Sequence, residues 1–360
     1  MRPTIKRIAE LAGVSKTAVS FAFNDPSKIA RSTYERIMEI AEREGYVPDP
    51  IARTMTSKRV GAIGVLLPQA IQETFRNPYV SEVLRGIGTV CHQEDLFLTI
   101  LPPIKGFLSQ AVRNAVVDGF ISLGVETAPD IAALIHQRNV PFVTIDGDAD
   151  SGITNVGIDD TVAAETMMNY VLSLGHRDII ILSLKSEGPG TAEEHSSRTV
   201  DRRLAGFERA LQNHGLSLHS PSVRLVPVDV TMESAEEALL PLLSHKIPTA
   251  IVSMSDSAAF GAYVACKRLG LSIPQDITVT GMDDIPFASI LEPGLTTIRQ
   301  PGQRKGSYAA RAVLDMLQGR AVASVVLPTE LVVRGSSGGP RSVPLAVKAV
   351  TLEADAPYSK

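Results

Sequence analysis

The chain of 360 residues has no tryptophan, two cysteines and only 5% aromatic residues. Each scarcity narrows the reading. A ligand pocket here cannot use indole stacking, so any aromatic platform must come from phenylalanine or tyrosine. Cys91 and Cys266 lie far apart in sequence; they can be bridged, but two reduced thiols in a cytosolic protein is the simpler reading. No run of about 18 apolar residues exists, which removes a membrane span. No apolar stretch precedes the polar N-terminal helix, so no signal peptide is expected and the expected location is cytoplasmic. Catalytic constellations are missing too. Gly188-Pro189-Gly190 lacks the strand-then-helix context and the Lys-Ser/Thr of a phosphate loop. His214 and His219 have no cysteine pair or H-E-x-x-H helix to complete a zinc site, and read as solvated surface histidines. His176 reads as structural, and neither cysteine has a partner for nucleophilic work. We find no internal sequence repeat, and expect no catalytic residue, metal or cofactor.

What is present is a chain long enough for two or three domains, with the 44% hydrophobic and 21% charged residues of an ordinary globular protein. Its net charge of −4 is uneven. Residues 1–59 hold 11 Lys+Arg against 7 Asp+Glu, and the remainder holds 24 against 32. A basic head on an acidic body suits a nucleic-acid-binding module joined to a domain with another task.

The head carries the most specific signal. Residues 4–24 read TIKRIAELAGVSKTAVSFAFN, two short helices around a turn at Gly13, where a helix end commonly needs a positive φ. Ile5, Ile8, Ala9, Ala12, Val14, Val19 and Phe23 can pack the helices together, and Ser15 is placed to cap the second. Lys16, Thr17, Ser20 and Phe21 then face outward, the layout with which a helix-turn-helix enters the major groove. Ser32 and Glu35 form an S-x-x-E capping box for a third helix ending at Gly45. Asp49 and Pro50 then suit the start of a helix of about two turns, either a plain linker or a segment that folds on meeting a partner.

From Val60 onward apolar strands alternate with amphipathic helices. Strands are expected at 62–67, 97–101, 119–123, 141–145, 178–182, 250–254 and 277–281, and helices near 79–93, 129–138, 160–174, 202–214, 232–243 and 257–269. Such alternation means parallel sheets covered by helices, and this length suits two α/β lobes. The polar segment 185–201 reads as a mobile loop, and the tail from Gly335 to Lys360 as poorly ordered.

With these motifs in place, the chain resembles LacI/GalR-type transcription regulators over about residues 4–334. The head carries the pattern as Thr4-Ile5, Ile8-Ala9, Ala12-Gly13-Val14-Ser15 and Val19-Ser20. The body carries Asn77-Pro78-Tyr79, Val117-Asp118-Gly119, Val140-Pro141 with Asp146, Leu174-Gly175-His176 and Arg203-Leu204-Ala205-Gly206-Phe207. Gly270-Leu271 with Pro274-Gln275-Asp276, Gly281-Met282-Asp283-Asp284 and Leu295-Thr296-Thr297 complete it. The resemblance implies an all-α helix-turn-helix head (1–47), a hinge helix or linker (48–59), a two-lobed α/β core like periplasmic sugar-binding proteins (60–334), and a flexible tail (335–360). It implies a homodimer on a palindromic operator, usually a repressor, with a small effector between the lobes. The leucine heptad through which some relatives tetramerise is missing from this tail.

The resemblance also assigns residues. Lys16, Thr17, Ser20 and Phe21 stand where bases are read. Phe21 departs from the arginine of many relatives; it can pack on thymine methyls or belong to the head core. Ser15, Asn24, Arg31 and Thr33, with Ser20, suit phosphate contacts. Ala52-Arg53-Thr54-Met55 replaces an A-R-S-L hinge, so Met55 is expected to wedge into the minor groove, with Arg53 or Lys58 on phosphates. Asp146, Arg203 and Asp283, with Ser255, Phe75 and Tyr79, are the effector candidates, since α/β sheets bind ligands beyond their strand ends. An arginine and two carboxylates can grip sugar hydroxyls or a polar ring. Core packing competes for Phe75, Tyr79 and Phe287, and Asp256 can simply cap the next helix. Ser255-Asp256 stands for a commoner Asn-Asp pair, which leaves the effector's class open. Two rivals remain. A transporter's solute-binding protein would have the body without the head; a sugar-modifying enzyme would need a catalytic constellation in the cleft.

Overall fold

The computed structural model describes residues 3–48, 59–67, 70–104, 107–124, 129–148, 151–185 and 198–343. The chain divides into two compact units, Met1–Val60 and Gly61–Lys360. In the first, α1 (Ile5–Ala12), α2 (Lys16–Asn24) and α3 (Arg31–Glu44) bury Ile8, Ala9, Ala12, Val19, Ala22, Ile37 and Ile40 against one another. Gly13 ends α1 with φ 62 and returns its N–H to the carbonyls of Ala9 and Glu10. The Ser15 hydroxyl accepts the Ala18 N–H at 3.1 Å, the expected cap of α2. The expected box at Ser32 does not form. α3 starts two residues earlier, its N-cap is Ala30 with no side-chain cap, and Glu35 instead accepts from Arg31 at 2.9 Å. Of the hinge expected at 48–59, residues 49–58, with Arg53 and Met55, lie outside the described residues.

The second unit is two lobes built on one plan. The first contains β1 (Ala62–Leu66), α4 (Ile71–Thr74), α5 (Pro78–Gln93), β2 (Phe97–Leu101), α6 (Leu108–Asn114), β3 (Gly119–Leu123), α7 (Pro129–Gln137), β4 (Phe142–Ile145) and β5 (Thr154–Gly157). The chain then builds the second lobe: α8 (Asp160–Ser173), β6 (Ile179–Leu184), α9 (Arg198–Asn213), β7 (Val223–Val228), α10 (Met232–His245), β8 (Ala250–Ser253), α11 (Asp256–Arg268), β9 (Thr278–Asp283) and β10 (Thr296–Arg299). It returns to the first lobe for α12 (Gly302–Leu317) and β11 (Val325–Val326), and ends with β12 (Glu330–Val332) on the second. The sheets have orders β11-β5-β4-β3-β1-β2 and β12-β10-β9-β8-β6-β7, parallel throughout except for β10 against β12. β4 of one lobe is therefore the topological counterpart of β9 of the other.

Three crossings join the lobes, after β5, β10 and β11. The second delivers α12 to the first lobe, where Ala309, Ala310 and Val313 pack with Val83, Ile87 and Val90 of α5. Glycines set how close the two helices come. A Cβ on Gly86 would strike the Gln303 carbonyl, and one on Gly306 the Val83 carbonyl, so the backbones touch. That approach brings the N-terminal ends of α5 and α12, with Tyr79 and Lys305, into one place.

Two expected irregular regions are more ordered than their composition suggests. Residues 186–197 of the polar segment lie outside the described residues, but Arg198–Asp201 is already the first turn of α9. From Gly335 the chain is held on the second lobe as far as Arg341. Ser336 is fully buried, donating to the Val279 carbonyl at 2.7 Å and accepting from the Thr296 N–H at 2.7 Å. The Arg341 guanidinium donates to the carbonyls of Ile247, Pro248 and Asp276. These bonds run to main chain, which no hydropathy pattern in the tail could announce.

Candidate functional site

Two places carry chemistry, one in each unit. On the head, Lys16 and Thr17 are exposed and Ser20 and Phe21 half-buried, while Val19 and Ala22 of the same helix turn into the core. Phe21 stands outside the packed core of the head. Its ring instead lies under the Lys28 ammonium, 5.3 Å from the ring centroid, and Lys28 is 3.0 Å from Asp25. Asn24 donates to the Ser20 hydroxyl at 3.2 Å. Arg31 is largely exposed and, among the described residues, tied to Glu35, a surface pair easily exchanged for a phosphate. Thr33 is half-buried in the first turn of α3. Ser15 spends its oxygen on the cap and keeps its hydroxyl hydrogen to donate.

Between the lobes of the second unit lies a cavity of about 400 Å³, within the range of small-ligand pockets. Tyr79, Asp146, Arg203, Ser255 and Asp283 line it, with Gln300, Asn77 and Thr74. Phe75 does not; it is 46% exposed, and the preceding Thr74 turns inward in its place. Asp146 directly follows β4 with φ 56, and Asp283 ends β9 with φ 147. Side chains other than glycine seldom adopt such backbone, which costs of order 1–3 kcal/mol and is typical of functional sites.

The floor of the cavity is a connected polar network. Lys305, with no exposed surface, donates to the Tyr79 hydroxyl at 2.8 Å, to Asp146 Oδ1 at 2.6 Å and to Gln300 Oε1 at 2.8 Å. Tyr79 in turn donates to Asp146 Oδ2 at 2.8 Å. Gln300 Nε2 donates to Asp283 Oδ1 at 2.8 Å. Burial, then the charge of Asp146, pushes the Tyr79 phenol well above its ordinary pKa, so it stays protonated and keeps donating.

The second lobe adds a pair of buried carboxyls. Asp256 accepts from the Thr297 hydroxyl at 2.6 Å and the Ile285 N–H at 3.0 Å, and its own N–H lies 3.4 Å from Asp283 Oδ2. Burial raises Asp256 to about 7 despite those bonds. Burial first, then Asp256, raises Asp283 well above the carboxylate range. In the structure both Asp283 oxygens accept, Oδ1 from Gln300 and Oδ2 from the Asp256 N–H, while burial favours keeping its proton. Asp256 does not cap α11; Ser255 does, accepting the Ala258 N–H at 3.1 Å.

Arg203 lies within α9 rather than opening it, and is 5% exposed. Its Nε donates to Asp160 at 2.9 Å and its Nη1 to the Met254 carbonyl at 2.5 Å. Burial alone would lower its pKa, and Asp160 and Asp283 more than reverse that. The Nε hydrogen and one Nη1 hydrogen are thus committed to the protein, which leaves the second Nη1 hydrogen and both Nη2 hydrogens to donate.

Known proteins share both units. Residues 4–49 match the bacterial regulatory proteins of the lacI family, and residues 168–337 match the periplasmic binding protein-like domain. An HTH-type transcriptional regulator of Mycobacterium tuberculosis is 32% identical over 360 residues, covering 94% of this chain and 99% of that protein. The chain belongs to the LacI family. The HTH-type transcriptional repressor CytR of Escherichia coli is 30% identical over 345 residues, covering 93% of this chain and 96% of CytR. A LacI-family regulator of Enterococcus faecium, solved with bound ribose, is 26% identical with TM-score 0.67, covering 78% of this chain and 99% of that one. LacI-family proteins are DNA-binding transcription regulators and not enzymes, and so is this chain. Among the described residues no helix is long and apolar enough to cross a membrane.

Within this LacI-family cleft, sequence reasoning missed Lys305 and Gln300, and Asp160 behind Arg203. One signal was available. Gly302, Gly306, Ala309 and Val313 form a small apolar stripe at helical spacing, and Lys305 interrupts it. A lysine on such a stripe is either exposed or bound to buried acids, and here it is bound.

Proposed function

We propose that this LacI-family regulator is a cytoplasmic repressor that binds a pseudo-palindromic operator as a homodimer, under control of a small polar effector in the interlobe cavity. The observation that carries the reading is the pairing, in one chain, of an outward polar helix face with a cavity ringed by hydrogen-bonding groups. Lys16 and Thr17 are assigned to base edges, with Phe21 against thymine methyls and Ser20 beside it. Ser15, Asn24, Arg31 and Thr33 are assigned to phosphates, and Arg53 and Met55 to the minor groove.

The effector assignment rests on the unspent hydrogen-bonding capacity of Asp146, Ser255, Asp283 and Gln300, with the remaining N–H groups of Arg203. Acceptors and donors in mixture, with positive and negative side chains both present, suit a neutral molecule rich in hydroxyls. A sugar fits that description, and the ribose-bound relative supports it. The dimer assignment draws on an apolar hollow of about 410 Å³, lined by Met232, Phe260, Tyr263, Phe287 and Leu291 of the second lobe with Arg76 and Pro78 of the first. Arg76 and Thr231 border both this hollow and the effector cavity, a direct route from ligand to subunit contact.

Selection of DNA from a random pool with the full chain tests the proposal. The expected product is an inverted repeat of two half-sites. A single half-site overturns the dimeric reading, and no enrichment overturns the operator.

A further inference from the structure

We infer that Lys305 is a positioning residue that latches the two lobes together and fixes which face of Gln300 meets the cavity. Its backbone belongs to the first lobe, in α12, whereas Gln300 is still paired to the second, its N–H donating to the Asp283 carbonyl at 3.1 Å. The 2.8 Å bond from Lys305 to Gln300 Oε1 therefore crosses between lobes at the point where the chain itself crosses. All three ammonium hydrogens are used on Tyr79, Asp146 and Gln300, so Lys305 has nothing left to donate to a ligand. It acts through its neighbours.

That action is specific. An amide can turn either end toward a partner, and only its surroundings decide. Here a buried cation claims the oxygen of Gln300, so the nitrogen must face Asp283, as it does at 2.8 Å. Without the cation the oxygen of Gln300 loses its partner, Asp283 alone holds the amide, and the side-chain bond from α12 to Gln300 is gone. Lys305 also holds Asp146 and Tyr79, both of which line the cavity. One ammonium thus sets three lining groups and the lobe angle together. The inference concerns the lobes' resting geometry and stands whether or not the effector is a sugar.

Distance measurement between spin labels tests it. Glu94→Cys on the first lobe and Asn213→Cys on the second place labels at exposed positions, and the native Cys91 and Cys266 are buried. The full chain, labelled and diluted with unlabelled protein, should give one narrow interlobe distance without added ligand. Lys305→Met and Gln300→Leu should each broaden it and add a second component, and the double variant should broaden it no further than either single. Gln300→Leu keeps the Lys305–Asp146 ion pair, so it carries the test if Lys305→Met fails to fold. An unchanged narrow distance in Gln300→Leu overturns the latch, as does an additive double variant.

Discussion

The two lobes place an aspartate at the same topological point and treat it in opposite ways. Asp146 follows β4 and Asp283 ends the equivalent β9, each with a positive φ that aims its side chain at the cavity. Asp146 receives a buried ammonium at 2.6 Å and a phenol at 2.8 Å. Asp283 receives an amide at 2.8 Å and sits beside a second buried carboxyl, and burial pushes its pKa up. One wall of the cleft thus presents an ion pair and the other two adjacent buried carboxyls whose pKa values burial raises. Equivalent positions in two copies of one fold need not carry equivalent chemistry; the neighbours supplied by other elements decide. For Asp146 the deciding neighbour is α12, which the second crossing brings back.

The contrast can be broken from either side. Asp146→Asn should have the largest effect, because it strands the Lys305 ammonium in the interior. Loss of one partner of a buried ion pair costs about 3–5 kcal/mol, readable by denaturant unfolding. Arg203→Ala should destabilise on the same scale, since it leaves Asp160 buried with Arg202 at 3.5 Å as its remaining charged partner. Lost effector response in that variant is therefore informative only where the folded population is shown to be intact.

Asp256→Asn should act through pH. The folded group titrates near 7 and the unfolded one near 3.8. Below 3.8 both states hold the proton and the group is neutral to stability. Between 3.8 and 7 the unfolded chain releases its proton while the folded chain keeps it, so stability falls as pH rises, and above 7 the penalty is constant. The variant should flatten that decline in melting temperature measured from pH 4 to 8; an unchanged slope would show that Asp256 is ionised throughout.

Asp283→Asn should be the mildest, on the order of 1 kcal/mol or less, because a carboxamide keeps the shape, still accepts from Gln300 and strands no ammonium paired to it. A loss as large as that of Asp146→Asn would erase the distinction between the two walls.

Much of this architecture was legible in the sequence, and the gaps have physical causes. The head could be read because a helix-turn-helix is local: Gly13, Ser15 and the apolar spacing lie within one short window. The strands 97–101 and 119–123 stand where their apolar runs placed them. β5, β7 and β10 escaped notice because they read TNVG, VRLVPV and TTIR, with threonines, a proline and charges on sheet edges or against other elements. In the cleft, Tyr79, Asp146, Arg203, Ser255 and Asp283 were foreseen as lining groups, but not their partners. Lys305 meets Tyr79 across 226 positions of sequence and Asp146 across 159, and such pairing follows only from the three crossings. Phe75 was misplaced because an aromatic beside a binding motif says nothing about which way a one-turn helix faces.

Reciprocal linkage tests the central claim most directly. The claim is that one cleft, in one chain, sets the DNA affinity of the head. Operator binding should be titrated with and without the sugar that most raises the melting temperature of the full chain, and sugar binding with and without operator. The account predicts that the sugar changes operator affinity by the same factor as operator changes sugar affinity. A sugar that saturates the cleft and leaves operator affinity unchanged would contradict it.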